Sequence, residues 1–428
     1  MQRYSEYKDS GVQWIGEIPG HWKMTRNKSF LSLTDEKVGE RKDITLLSLT
    51  KQGVIVRDLS EGKGKFPKDF ESYLVVRPNN LVFCLFDVDE TPRTVGLVHN
   101  YGMLTGAYTN FEVDESICLP EFAQYFYIQI DDVKGLRPYY TGLRKVVKTN
   151  TFLQIRLPLP PLPEQHSIVS YLDSKCAKLD KMLENKEKQI ALLAEMKQRI
   201  IADAVTRGLD PEVKMKKTNI PWIKEIPEHW EMSKVSSHFR QRNEKVSDKD
   251  YPALSVSKMG VTPQLDNVAL SNADGNSRKL VKIGDYAVNS RSDRKGSCGV
   301  SKYEGSVSLI TIVLEPFNIN GNYVHYLFRS TPWVEEFYRN GRGIVADLWT
   351  TNYQMMKGMY FPVPPLSEQL SIVSHLDARC SKIDALIAKL HEELSSLKEY
   401  KQRLISDVVT GQIKVSIRKS PIDMESLF

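Results

Sequence analysis

A chain of 428 residues outgrows a single hydrophobic core, and length alone leads to an expectation of roughly three domains. With 41% hydrophobic and 26% charged residues, no apolar run near a bilayer span and a charged opening MQRYSEYKDS, the composition excludes a membrane or secreted protein and points to the cytoplasm. Five cysteines without a C-x-x-C pair indicate reduced thiols rather than a disulfide or zinc framework, and the net charge of +6 is compatible with a polyanionic partner.

The first recognisable element is WIGEIPGHW at 14–22, which returns as WIKEIPEHW at 222–230, seven of nine positions identical at an offset of 208. Short β-branched and aromatic runs follow, at 73–76, 81–85 and 309–314, each bounded by Gly, Asn, Asp or Pro clusters that predict strands and turns. Helical patterns at 121–130 and 323–329 make each of these regions α+β. PLPPLPEQHSIVSYLDSKCAKLD at 158–180 then recurs at 362–384 as PVPPLSEQLSIVSHLDARCSKID, with 15 of 23 positions identical at an offset of 204. EMKQRIIADAVT at 195–206 is matched by EYKQRLISDVVT at 399–410 in the same register. Between these blocks the two halves agree only in outline. A unit whose ends repeat while its interior diverges suits two copies of one fold that read different targets.

Each Pro-rich step, 158–163 and 362–365, should end a strand ladder and lead into helix. From Glu164 the apolar residues Val169, Leu172, Cys176, Leu179, Leu183, Ile190, Leu193 and Ile200 fall at heptad positions, interrupted by Lys186 and Lys197. The second copy gives Val373, Leu376, Cys380, Ile383, Ile387, Leu390, Leu394, Leu397, Leu404 and Val408, interrupted by Lys401. Narrow stripes of this kind need a partner helix, and the most economical partner is the other copy. About 42 residues at 1.5 Å each give a spacer roughly 60 Å long. The alternative is that each stripe packs on its own globular domain.

Signatures of catalysis are missing. The two Pro-Pro steps lack the Asp or Asn and the aromatic residue of an amino-methyltransferase, and Gly62-Lys63-Gly64-Lys65 has neither the spacing nor the hydroxyl of a P-loop. Glu184-Asn185-Lys186 has the form of a nuclease triplet but stands in the heptad helix, and His21 and His229 occupy equivalent I-P-x-H-W turns that suit packed or capping histidines better than metal ligands.

Candidate DNA contacts are basic and interleaved with aromatics. Between 134 and 163 there are six basic residues and no acid. Arg137, Arg144, Lys145 and Lys148, with Tyr139 and Tyr140, form a candidate phosphate-and-base surface. In the second half Arg339 and Arg342 stand before the Pro-rich step, with Arg342 the expected counterpart of Arg144. The 289–297 loop adds Arg291, Arg294 and Lys295, its first-half equivalent carries Arg93, and Lys51 and Lys258 head equivalent turns.

The doubled WIGEIPGHW, the doubled PLPPLPEQ and the doubled heptad helix, in this order, closely resemble the specificity subunit of type I restriction–modification systems over nearly the whole chain. The resemblance implies an α+β fold with two target-recognition domains in tandem pseudo-repeat, separated by two long helices forming an antiparallel coiled coil. The expected layout is an N-terminal segment 1–21, recognition domain 22–157, linker and helix 158–210, a repeat-start segment 211–229, recognition domain 230–361, linker and helix 362–412, and a tail 413–428. Val169, Leu172, Leu179, Leu183, Ile190, Val373, Leu376, Ile383, Leu390 and Leu394 form the expected coiled-coil and partner set. Each domain would read half of a bipartite double-stranded DNA target, on turns about 34 Å apart. The helices would set the spacing and dock two methyltransferase subunits, which restriction subunits join. S-adenosylmethionine, ATP and Mg would belong to those partners, leaving this chain without cofactor, metal or catalytic residue. A coiled-coil adaptor that ignores DNA and a self-contained DNA-modifying enzyme are the competing readings.

Overall fold

The computed structural model describes residues 2–41, 43–57, 70–91, 93–264, 277–343 and 349–415. Gly62-Lys63-Gly64-Lys65 and most of the 413–428 tail lie outside the described residues. The chain divides into two compact units, Met1–Lys186 with Glu392–Phe428, and Glu187–His391.

In the first unit an antiparallel sheet runs in the order Leu31–Thr34, Thr109–Val113, Leu81–Phe83, Val95–Leu97. Helix α1 (Pro120–Asp132) packs on it, and a single turn of helix, α2 (Thr149–Gln154), precedes the strand Arg156–Leu159. That strand pairs with Lys23–Arg26, so the segment after Trp22 meets the segment before the Pro-rich step and closes the domain. Helix α3 (Leu162–Arg207) follows at once.

The second unit repeats the plan. Its sheet runs Phe239–Arg242, Ile312–Pro316, Tyr286–Val288, Cys298–Val300, and Glu231–Lys234 pairs with Tyr360–Val363. Two helices, α4 (Gly321–Arg329) and α5 (Thr331–Arg339), replace α1; α6 (Tyr353–Met356) and the 44-residue α7 (Leu366–Val409) complete it.

Two expectations are corrected. The ladder runs through Pro158 and Pro362 rather than stopping before them, because each sits in a two-stranded pair whose open edge tolerates a missing N–H. The predicted 309–314 strand starts at Ile312, since Thr311 closes a turn onto the Ser308 carbonyl at 2.9 Å.

The apolar stripes of the long helices divide between two tasks. Ile168, Leu172, Cys176 and Leu179 of α3 join the first unit's core, around Trp22, Phe83, Phe122 and Tyr127, and Leu404, Ile405, Val408 and Val409 of α7 enter the same core. In the second unit Ile201, Ala204 and Val205 of α3 meet Ile372, Val373, Leu376 and Cys380 of α7 around Trp230, Tyr286, Trp333 and Phe361. Residues of both stripes therefore pack into globular cores, as the alternative expected, and each core takes residues from both helices. Leu183, Ile190 and Leu390 are half-buried, whereas Ile383 and Leu394 are buried.

Charged interruptions in the stripes are answered across the helices. In the first unit Lys401 donates to Asp180 at 2.6 Å and Lys186 to Glu393, so rising numbers on α3 meet falling numbers on α7. In the second unit Lys197 donates to Asp384 at 2.6 Å. Glycine ends both helices, Gly208 and Gly411 adopting φ of 80° and 76°, the left-handed conformation that a side chain disfavours. All five cysteines are buried and unpaired. No helix among the described residues is long and apolar enough to cross a membrane.

Candidate nucleic-acid interface

The basic segment of the first unit is laid against the loop that joins Leu81–Phe83 to Val95–Leu97. Asp87 donates its amide to the Arg144 carbonyl at 2.8 Å, and Val147 donates to Leu85 at 2.8 Å, zipping the two segments together. Side chains follow the backbone. Arg144 donates to Asp87 at 2.6 Å and lies over the Phe86 ring, Arg137 reaches Asp89 at 3.3 Å, and Lys145 contacts Asp89 at 3.1 Å and Glu90 at 2.9 Å. The hydrogen bond from Arg144 holds the Asp87 carboxyl below its ordinary value, as Lys145, then Arg137 and Tyr140, do for Asp89. Tyr140 donates its hydroxyl to Asp89, and Tyr139 packs on the core. The segment that holds no acid in its own sequence is therefore neutralised by Asp87, Asp89 and Glu90, three carboxylates for Arg137, Arg144 and Lys145. Lys148, at the head of α2, stays exposed.

Arg93 faces elsewhere. It points to Asp131 at 3.4 Å and Asp132 at 3.3 Å on α1, and burial raises the Asp132 carboxyl although Arg93 opposes the effect. With Lys51 it lines a cleft of about 720 Å³ that Tyr125, Asp180 and Lys401 also face. Lys51 is exposed at its hairpin turn; Lys258 heads the equivalent turn in the second unit, its carbonyl accepting from Arg329.

In the second unit the charge arrangement is reversed, for here the hairpin loop is basic. Arg291 donates to Asp293 at 2.9 Å, Arg294 lies 3.7 Å from the same carboxylate, Lys295 reaches Glu335 at 2.9 Å, and Arg339 pairs with Glu336. Five cations including Arg342 face three acids, Asp293, Glu335 and Glu336. The Arg342 guanidinium has no ion-pair partner among the described residues. Its backbone exchanges two hydrogen bonds of 3.1 Å with Thr350, the kind of bridge that Thr141 rather than Arg144 makes in the first unit, with Val146. Lys295, Tyr338, Arg339 and Trp349 line a cleft of about 710 Å³ with Trp222.

Sequence reasoning missed a doubled anchor in the E-Q dipeptides that open the long helices. His21 donates to Glu164 and His229 to Glu368, both at 2.8 Å. Tyr4 also donates to Glu164, and the buried Trp230 indole donates to Glu368 at 3.0 Å. Gln165 accepts from the Leu119 amide at 2.8 Å and donates to the Pro160 carbonyl at 2.9 Å; Gln369 accepts from the Asn320 amide and donates to Pro364 in the same way. Tyr125 and Tyr326 donate to Asp173 and Asp377, fixing α1 and α4 to the helices at 2.7 and 2.6 Å. The signal was present, since H-W and E-Q both recur at the repeat offsets.

No protein-family model matches the chain. Its curated relatives are type I restriction enzyme specificity subunits. It is 26% identical over 277 residues to a putative MjaX specificity subunit of Methanocaldococcus jannaschii, covering 61% of this chain and 60% of that protein. Over 303 residues it is 23% identical to the EcoBI specificity subunit of Escherichia coli, covering 66% and 63%. The chain thus spans less than two thirds of the length of the specificity subunits it matches. A solved chain from work on complex assembly and conformational transition of the type I R-M system superposes with a TM-score of 0.69 at 16% identity, over 92% of this chain and 99% of that one, a likeness of fold. The doubled frame with unlike loop charges is therefore found in a chain similar to specificity subunits.

Proposed function

We propose that this chain is the DNA sequence-specificity subunit of a cytoplasmic type I restriction–modification complex. The recognition domains, 22–157 and 230–361, each read one half of a bipartite target. Contacts come from Lys51, Arg93, Arg137, Tyr139, Tyr140, Arg144, Lys145 and Lys148 in one domain, and from Lys258, Arg291, Arg294, Lys295, Arg339 and Arg342 in the other. Helices α3 and α7 form an antiparallel coiled coil that sets half-site spacing and docks two methyltransferase subunits, with restriction subunits in the larger assembly. The partners supply S-adenosylmethionine, ATP and Mg chemistry, and this chain carries no catalytic step. The observation that carries the reading is the pair of alike sheets whose loops differ in charge: a common frame with separate linings suits two half-sites of different sequence.

The test is methylome sequencing of a host that expresses the chain with its modification subunits. A single motif of two short blocks separated by a fixed gap is expected. A contiguous motif, or methylation unchanged by removing this chain, would overturn the proposal.

A further inference from the structure

The loop 141–146 is a short, rigid tip. Thr141 and Val146 exchange backbone hydrogen bonds of 2.9 and 3.0 Å, and the Lys145 amide donates to the Gly142 carbonyl at 3.2 Å. Gly142 and Lys145 both adopt left-handed backbone, at φ of 69° and 46°. For a lysine this conformation is strained, and its ammonium is tied down by Asp89 and Glu90. Arg144 is tied to Asp87 and Phe86. With both neighbouring cations turned back onto carboxylates, the side chain that the tip presents outward is Leu143, which is fully exposed at 102%.

We propose that Leu143 is an apolar wedge that enters the base stack of the half-site read by the first recognition domain and unstacks one base step. The inference rests on the DNA-reading function proposed above. A protein partner would need a contiguous apolar patch, whereas the residues beside Leu143 in this loop are Gly142, Arg144 and Lys145. In duplex DNA a lone aliphatic side chain can meet a thymine methyl in the major groove or the face of a base, and an inserted leucine reaches the larger base face by partly unstacking the step. A preorganised loop suits this, because the tip loses little freedom when it inserts.

The test uses the full chain assembled with its methyltransferase subunits, and duplexes carrying the recognised site with 2-aminopurine placed in turn at each position of the half-site except the base that becomes methylated. Wild type should raise the fluorescence of one position severalfold. Leu143→Ala should abolish that rise and weaken site binding on the order of tenfold while leaving the salt dependence unchanged, and Leu143→Met should restore both. Folding is not at risk, because the side chain touches solvent alone. The wedge is overturned if Leu143→Ala keeps the fluorescence response, or if it weakens assembly with the methyltransferase subunits instead. If the wild-type complex shows no salt-dependent binding to any duplex, the specificity reading itself fails, a result separate from either of these.

Discussion

Lys401 on α7 donates to both carboxylate oxygens of Asp180 on α3, at 2.6 and 2.7 Å. Shifted by 204 positions, the same two residue types meet again as Lys197 and Asp384 at 2.6 and 2.7 Å. Each lysine occupies an apolar heptad position and is about one quarter exposed, while each aspartate is more than half exposed. A pair so open to water contributes little net stability, about 0–1 kcal/mol. Its effect is on alignment, since a polar residue in an apolar seam penalises any register that leaves it unpaired.

Lys401→Leu should therefore change the unfolding free energy by less than about 1 kcal/mol while relaxing helix alignment. Thermal denaturation reads the first effect, and methylation of sites with gaps one base pair longer or shorter reads the second. A loss above about 3 kcal/mol would mean that the pair acts as a buried ion pair instead.

Glu368 serves two donors, the His229 ring and the buried Trp230 indole. Removing the carboxylate leaves the indole N–H unsatisfied in the core. Glu368→Ala should cost about 1–3 kcal/mol, and Glu368→Gln, which keeps an acceptor oxygen, should recover most of it. Urea unfolding of the three proteins checks the order, and equal midpoints would rule the anchor out.

Acid sensitivity should centre on His325. Its Nε2 accepts from Arg329 at 3.3 Å, and burial, helped by the Arg329 charge, lowers its pKa to about 4. The unfolded chain, with an ordinary value of 6.5, binds the proton more readily. Stability from the neutral ring is thus fully present above pH 6.5 and is lost progressively as pH falls toward 4, by roughly 2–3 kcal/mol. Denaturant titrations from pH 7 to 4 should show this slope in wild type and a shallower one in His325→Leu. Parallel slopes would assign the acid limb to other groups.

Among the described residues the Arg342 guanidinium has no ion-pair partner, whereas Arg144 must leave Asp87 to touch DNA. Arg342→Ala should weaken binding by about 1–3 kcal/mol if the contact is to a base, with the loss confined to one half-site. A phosphate contact would instead lower the salt slope by about one without changing sequence preference. Titrations at two salt concentrations on both half-site mutants separate these, and an unchanged affinity removes Arg342 from the interface. Arg144→Ala should have the smaller effect.

Local pattern made much of this architecture legible. The strands at 74–76 and 81–83, α1, α4 and both long helices follow from periodicity and from Pro and Gly punctuation. What it hid are partners far apart in sequence. The carboxylates that neutralise Arg137, Arg144 and Lys145 lie 48 to 57 residues upstream, and His21 finds Glu164 across 143 residues. A basic run read alone overstates its free charge, because nothing local reveals that a hairpin loop of opposite sign will be folded against it. Arg342 shows the related difficulty of register: matching it to Arg144 by placement before the Pro-rich step gave way to the Thr350 bridge, which aligns it with Thr141 instead.

The first unit's core contains Leu404, Ile405, Val408 and Val409 beside Ile168, Leu172 and Leu179. During synthesis the part of the chain made first is consequently the last to be completed. Its newly made helix must wait with an uncovered apolar stripe while some 200 further residues are added, roughly 10–40 s at ordinary elongation rates. That interval places the nascent chain, rather than the finished protein, at greatest risk of mispairing, and the nearest competitor for the open stripe is the same stripe on a neighbouring copy emerging from the same message.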